Sequence, residues 1–423
     1  MEKQQFGRLA VFGLPATNVV VWVVAGPLDN GREAFARQVA GEMLATTTIV
    51  CFAIALLLST RARFLEPYFG GLDKMYRSHR QVAVAGFVLL VGHVAIVPWL
   101  LEPGGGVPAG MIAFIGFVVL IVLSVGPRVK LTRRWAGLGY RSWKRTHRFI
   151  GFFFVFACAH MFLVQPLVFE APAPLAIVVA AFVVGIGSFI YNLTLARLVR
   201  PSRRYLVDEV SRLNDNTVEV LLEPRKRRIP HKSGQFVFVS FKARRLREAH
   251  PFTVASSPDE GVLRLVIKAS GDFTAHLVDN LGPGTKARVE GSYGMLDHRT
   301  GGERQIWISG GIGVTPFLSW LRDGAIDSRV DFFYTVRHPE DAVFADEIIS
   351  LSAHEPNLRF HINVSSLAGS LTPERVVETV GEPLDGVSVY LCGPVGMIEV
   401  FEVGLARSGV DPRNIHYEEF SFR

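Results

Sequence analysis

Four histidines in apolar surroundings are the residues of this chain whose type and spacing promise chemistry. His79 and His93 stand 14 residues apart, His147 and His160 13 apart. At 1.5 Å per residue the first spacing is roughly 21 Å along a helix, most of the ~30 Å hydrocarbon thickness of a bilayer. At about 100° per residue it brings His93 back to within ~40° of the face of His79. Ionisable side chains inside apolar spans are costly and by default mark function. Two helices carrying these pairs side by side make two His–His levels, each able to hold one six-coordinate haem iron through neutral imidazoles. The second pair fits an ideal helix less well, because its members point apart; tilt or a wide turn near Gly151 would absorb the difference. The competing reading, histidines satisfied by polar neighbours, must explain two nearly equal spacings on separate segments. No C-x-x-C-H is present, so the haems would be b-type.

Three motifs in the second half point to nucleotide cofactors. His250-Pro251-Phe252-Thr253, followed by Ser256, ends a strand and offers hydroxyls and a ring to line a flavin. Gly271-Asp272-Phe273-Thr274 precedes the short helical stretch Ala275–Leu281; free N–H groups and the hydroxyl of Thr274 suit a pyrophosphate. Gly310-Gly311-Ile312-Gly313-Val314-Thr315-Pro316 follows the strand Gln305–Ser309 and opens a helix, where glycines admit a second pyrophosphate. Each alone is an ordinary glycine-rich turn. Their order gives them weight.

The elements that must position these residues change character near residue 200. Six apolar stretches, Leu9–Ala25, Val39–Leu58, Val82–Leu101, Val107–Val125, Phe149–Val168 and Leu175–Leu198, are long enough, or nearly so, to span as helices. Period-two runs follow at Tyr205–Val210, Thr217–Leu222, Gln235–Phe241, Leu263–Ala269 and Lys286–Glu290, as in a small antiparallel barrel. From Gln305 strands (Gln305–Ser309, Val330–Thr335, Arg359–Asn363, Val387–Leu391) alternate with helical stretches (Pro316–Leu321, Asp341–Ala353, Pro373–Val380), the rhythm of a doubly wound sheet. The fold expected is a six-helix all-α transmembrane bundle (residues 1–200), an antiparallel β-barrel (201–300) and a doubly wound α/β domain (301–423).

Net charge is +7. Lys and Arg gather between the second and third spans, between the fourth and fifth, and after the sixth, while the loops Glu102–Gly106 and Glu170–Pro174 have none. The positive-inside rule then gives an integral membrane protein with six spans and both termini cytoplasmic. His79 and His147 fall at the inner level, His93 and His160 at the outer. Lipid and haem propionates account for the basic charge without nucleic acid; no helix-turn-helix or finger spacing occurs. The basic run Arg225–Arg228 reads as a solvated hairpin turn or a membrane-facing edge. Cys51, Cys158 and Cys392 are too few and scattered for a disulfide framework or an iron–sulfur cluster.

With these residues in place, the second half resembles ferredoxin-reductase-type flavoproteins: HPFT with Ser256 and GDFT for FAD, then GGIGVTP and Leu391-Cys392-Gly393-Pro394 for pyridine nucleotide. Joined to a six-span, four-histidine domain, the chain is similar to the NADPH oxidases and ferric reductases, most of all to the compact bacterial NADPH oxidases in the inner membrane. The resemblance covers nearly the whole chain, and the family's histidine pairs also run 14 and 13 apart. It implies NADPH, FAD and two b-type haems as cofactors, and electrons passed across the bilayer to dioxygen outside, giving superoxide. A ferric-chelate reductase, or a module feeding electrons to a periplasmic protein, are the alternatives. Cys392 and a terminal aromatic over the flavin, Phe420 first and Phe422 second, are the expected residues at hydride transfer, and Phe153 the expected filler between haem levels. Arg337, after the strand Val330–Thr335, is expected to pair with a 2′-phosphate and to favour NADPH over the alternative NADH. No EF-hand pattern and no docking tail for an activating subunit is evident.

Overall fold

The computed structural model describes residues 3–29, 31, 34–97, 106–126, 140–324 and 326–418. They form two compact units, Met1–Gly70 with Lys74–Val199 and Gly71–Asp73 with Arg200–Arg423. In the first, six helical segments are long and apolar enough to cross a membrane. They are α1 (Lys3–Ala25), α2 (Phe35–Ser59), α4 (Leu72–Ile96) after the one-turn α3 (Glu66–Phe69), α5 (Val107–Val125), α6 (Tyr140–His147) running into α7 (Ile150–Val164), and α8 (Pro172–Ile190). A π-type turn at Tyr191–Leu195 leads to the short α9 (Ala196–Val199).

Two boundaries differ from expectation in ways that matter. The third span, expected over Val82–Leu101, begins ten residues earlier at Leu72. Hydropathy rises only after Arg80, but the charged first turns keep their helical bonding, so His79 lies inside the helix. Residues 98–101 lie outside the described residues. The fifth span is interrupted at Arg148–Phe149, and the turn there is tightened, not widened: Phe149 N–H donates to Thr146 C=O at 2.9 Å and Phe152 N–H to Phe149 C=O at 3.0 Å.

α2 is the buried staff of this unit, with every residue from Thr46 to Leu56 inside. Small residues let its neighbours approach. A Cβ on Gly86 of α4 would lie 2.9 Å from both Cys51 Cβ and the Phe52 ring, and one on Gly185 of α8 would lie 2.4 Å from the Phe154 ring.

The second unit holds two sheets. Strands β1 (Ser202–Asn214), β2 (Thr217–Pro224), β3 (Phe236–Phe241), β4 (His250–Thr253), β5 (Leu263–Lys268) and β6 (Lys286–Tyr293) pair antiparallel in the order β4-β3-β6-β1-β2-β5. The sheet curls until its ends meet: Val254 bridges Leu265, and Ala255 N–H donates to Arg264 C=O at 2.8 Å. Alternate residues such as Tyr205, Val207, Val239 and Val289 fill the interior. Helix α10 (Asp272–Asn280) follows β5.

The other five strands, β7 (Arg304–Gly310), β8 (Arg329–Val336), β9 (Leu358–Val364), β10 (Ser388–Cys392) and β11 (Ile415–Glu418), are parallel in the order β11-β10-β7-β8-β9. Between them run α11 (Thr315–Arg322), α12 (Ala345–Ser352), the one-turn α13 (Ser365–Ala368), α14 (Pro373–Val380) and α15 (Val395–Arg407). Both faces are covered: Trp307 packs with Phe317, Trp320 and Phe332 on one side, Ile306 and Ile308 with Ile398 and Phe401 on the other. α15 and β11 extend the expected alternation to the end of the described chain.

Candidate functional site

In the first unit the four histidines meet in two levels. The rings of His79 and His147 stand 6.5 Å apart at 76°. His160 lies close enough to His93 for their rings to interact electrostatically. Between His147 and His160 the chain turns tightly at Arg148–Phe149. Two imidazoles on opposite sides of one metal ion need about 6.3 Å between centroids, from two metal–nitrogen bonds of ~2.0–2.1 Å and about 1.1 Å within each ring. The His79–His147 pair has that spacing.

Each ring is held by the same atom. Nδ1 lies 2.7 Å from Ala55 C=O in His79, 2.9 Å from Gly41 C=O in His93 and 2.9 Å from Gly106 C=O in His160. His147 instead uses Ser124. That hydroxyl donates to Leu120 C=O at 2.7 Å, and so accepts from Trp143 Nε1–H at 2.9 Å and His147 Nδ1–H at 3.2 Å. Trp143 also stacks on His147, 5.3 Å between centroids. Oxygen acceptors on all four Nδ1 atoms place the proton there and leave each Nε2 lone pair for a ligand, the tautomer seen in metal-binding imidazoles. Among the described residues no three His, Cys, Asp or Glu gather as a metal cage. The two imidazoles at each level fit a haem, whose macrocycle would supply the other ligands.

Phe153 stands between the levels, six residues after His147 and seven before His160. Its ring meets Phe117 at 6.4 Å, and Phe117 meets Phe52 at 4.7 Å. Phe52 in turn abuts Gly86, midway between His79 and His93. Sequence reasoning found Phe153 but missed Phe52, Phe117, Ser124 and Trp143. The signals were faint: a glycine seven residues from each of two histidines, a lone serine in an apolar run, and a tryptophan one turn before His147.

In the second unit the flavin motifs come together. His250-Pro251-Phe252-Thr253 is the whole of β4 rather than the end of a longer strand. The His250 ring stacks on Phe273 of the GDFT motif, 3.6 Å between centroids and 17° from parallel. Thr274 Oγ1 accepts from the N–H groups of Ser270 and Gly271, at 2.9 and 3.1 Å, and shapes the turn into α10. Phe252 and Thr253 are buried; Ser256 is fully buried and its hydroxyl accepts from Arg264 N–H at 3.1 Å.

The third cluster sits where the parallel sheet changes direction. Chain order runs outward from β7 to β8 and β9 on one side, then to β10 and β11 on the other, so the switch falls between β7 and β10. Crevices at such points, beyond the carboxyl ends, bind nucleotides. Both glycine motifs end there. Cys392 pairs with Ser309 in register, and a Cβ on Gly313 would lie 2.3 Å from Cys392 C=O. Gly310 and Gly393 are pressed together beneath Met397 and Pro394, and Gly311 has φ +54°. Thr315 is buried, donating to Ile312 C=O, and Pro316 fills the first turn of α11. Cys392 is fully buried; burial, then the nearby Glu418 carboxylate, pushes its thiol well up, so it stays protonated. Arg337 is exposed just past β8; of the two nearby acids, Asp341 is engaged by Lys268 at 3.0 Å and Glu340 is exposed. Phe420 and Phe422 lie outside the described residues; the described chain ends at Glu418, opposite Cys392.

Comparison with known proteins agrees with this division of labour. Residues 44–158 match the ferric reductase like transmembrane component, 203–299 an FAD-binding domain and 307–402 an oxidoreductase NAD-binding domain. NADPH oxidase 1 of Mus musculus is 24% identical over 52% of this chain and 46% of its own length. By its FAD- and NAD-binding domains the chain is an NAD(P)H oxidoreductase, similar in part to NADPH oxidases. The reductase component of a Ralstonia naphthalene 1,2-dioxygenase/salicylate 5-hydroxylase system is 28% identical over 44% of this chain and 60% of its own. The chain spans about half the length of these relatives. A flavohaemoglobin from Malassezia yamatoensis shares fold, with a TM-score of 0.52 at 17% identity over 92% of this chain and 99% of that one. The ferric reductase match includes His79, His93 and His147 and stops two residues before His160.

Proposed function

We propose that this chain is a membrane NADPH oxidase in which electrons from cytosolic NADPH pass through FAD and two b-type haems to dioxygen on the other side, giving superoxide. One observation carries the reading: two stacked His–His levels whose four Nδ1 atoms all meet an oxygen acceptor, leaving four Nε2 lone pairs. His79 and His147 would hold one haem, His93 and His160 the other. His250, Pro251, Phe252 and Thr253 with Gly271 and Thr274 would hold FAD, with Ser256 bracing β4 from behind. Gly310, Gly311, Gly313, Thr315, Pro316, Gly393 and Pro394 would let the nucleotide approach the switch point, and Arg337 would meet a 2′-phosphate. Cys392, buried and neutral, would line the hydride path without carrying charge, and Phe420 would cover the flavin until nicotinamide displaces it. Phe153, with Phe117 and Phe52, would keep the space between the haems dry. Bilayer orientation follows the basic loops, with both termini cytoplasmic in a bacterial inner membrane.

The ferric reductase-type membrane component favours a second reading, in which a ferric chelate takes the electrons. The test is purified protein with NADPH and FAD, assayed for cytochrome c reduction with and without superoxide dismutase. Inhibition by the dismutase supports the oxidase. Insensitivity, with ferric chelate reduced faster than oxygen, supports the reductase. A pyridine haemochrome assay giving no haem would overturn both.

A further inference from the structure

The loop that carries Arg337 is held in place by the barrel. Arg337 is the first residue past β8 and is exposed; the chain then makes a 3-10 turn at Pro339–Asp341, where Asp341 N–H donates to His338 C=O at 3.0 Å. Tyr334, three residues before Arg337 on β8, donates its hydroxyl to Asp341 C=O at 3.2 Å. Residue 341 is therefore folded back against the strand end that carries Arg337. Four residues reach at most ~14 Å even when extended, and the turn shortens that. Two acids lie in this turn. Glu340 is exposed, so water and salt screen it. The Asp341 side chain is only 16% exposed and is screened less.

The barrel meets this turn at two points. Lys268, the last residue of β5, places Nζ 3.0 Å from Asp341 Oδ1, and Asn214, the last residue of β1, donates from Nδ2 to Glu340 C=O at 3.1 Å. They stand at one end of the barrel because Lys268 lies opposite Thr217 of β2, which begins just after Asn214. A single ion pair at a protein surface adds little to stability. What this one does is cancel a carboxylate. A free Asp341 would oppose a 2′-phosphate in two ways: by repelling it across a short distance, or by claiming the Arg337 guanidinium that the phosphate needs. The same free carboxylate would accept from the 2′-hydroxyl of NADH. On the reading that Arg337 meets a 2′-phosphate, we propose that Lys268 is a specificity-determining residue, a barrel side chain that keeps the nucleotide domain selective for NADPH by neutralising Asp341.

The test is ferricyanide reduction by the full-length protein in detergent with FAD, using NADPH or NADH as donor. Ferricyanide accepts electrons directly from reduced flavin, so the rate depends on neither haem nor dioxygen. The variants are Lys268→Met, Asp341→Asn and the two combined, with flavin content as the control for folding. Lys268→Met should raise the KM for NADPH roughly tenfold and leave that for NADH unchanged or lower. Asp341→Asn breaks the same ion pair, yet it and the double variant should keep the preference for NADPH. An equal loss in all three would make the pair a mere strap between barrel and loop and overturn the proposal. So would a loss in Lys268→Met that Asp341→Asn fails to rescue, since Lys268 would then touch the nucleotide itself, and so would no change in any variant. Arg337→Ala tests the underlying reading separately: equal effects on both nucleotides there would overturn that reading and the role of Lys268 with it, whereas a selective effect leaves the Lys268 variants to decide alone.

Discussion

Ser124 shows how one hydroxyl can matter more than its size suggests. It accepts from both Trp143 Nε1–H and His147 Nδ1–H, whereas the other three histidines rely on backbone carbonyls that no substitution can remove. Loss of such an outer partner typically lowers metal affinity 10–100-fold. With a haem at each level as proposed, Ser124→Ala should shed the one between His79 and His147 first, taking the haem-to-protein ratio from about two toward one under apomyoglobin challenge, with Ser124→Thr restoring it. Equal loss of both haems would show that the serine serves only packing. Arg337 makes a second single-residue claim. Its exposed guanidinium stands past β8 while Asp341 is occupied by Lys268. Removing a charged hydrogen bond costs about 1.5–3 kcal/mol, so Arg337→Ala should raise the KM for NADPH roughly ten- to hundredfold and leave that for NADH nearly unchanged. Steady-state kinetics with both nucleotides decide it.

Helix contacts turn on glycines whose partners are rings. A Cβ on Gly110 of α5 would lie 2.7 Å from His160 Nδ1, whereas one on Gly187 of α8 would meet nothing within 4 Å. Gly110→Ala must push the His160 ring from Gly106 C=O and should deplete the outer haem, seen as loss of one of two potentials in a redox titration. Gly187→Ala, the same change in open space, should leave both. If the two variants titrate alike, His160 is not held as described. The expected third span, begun at Val82, missed nearly three turns of α4 because hydropathy weighs side chains while helical bonding belongs to the backbone. His79 lies in the part that was missed.

The second unit depends on a seam between barrel and parallel sheet. Arg264 on β5 pairs with Glu219 on β2 and with Glu347 on α12, which also takes Arg322; Ser319 Oγ donates to Ser256 C=O at 2.8 Å. Near it His298 is buried against Trp307 and Trp320, at 5.4 and 5.0 Å. Burial, helped by Arg299 and opposed by Asp297 and Asp323, lowers its pKa to about 4. The unfolded imidazole titrates near 6.5, so below that pH the unfolded chain binds a proton that the folded one refuses. Stability is then complete above about pH 6.5 and falls as pH drops toward 4, by at most about 3 kcal/mol. Flavin-release melting curves should show this decline, and His298→Gln should flatten it. An unchanged slope in the variant would mean that other groups govern the acid limb.

The histidine pairs, the order barrel-then-parallel-sheet and the three glycine motifs were legible in the chain because each is a local pattern: a period, a spacing or a turn. Other features exist only through residues far apart in sequence. Val254 and Leu265 close the barrel, Gly313 rests on Cys392 across the switch point, and His250 stacks on Phe273. The tightened turn at Arg148–Phe149 is local, whereas the meeting of His147 with His79 is not. Spacing along one helix sets a residue's height and angle on that helix alone. Which carbonyl or hydroxyl waits beside each Nδ1 depends on how α2, α5 and α6 pack around it, and that is decided only when the helices assemble.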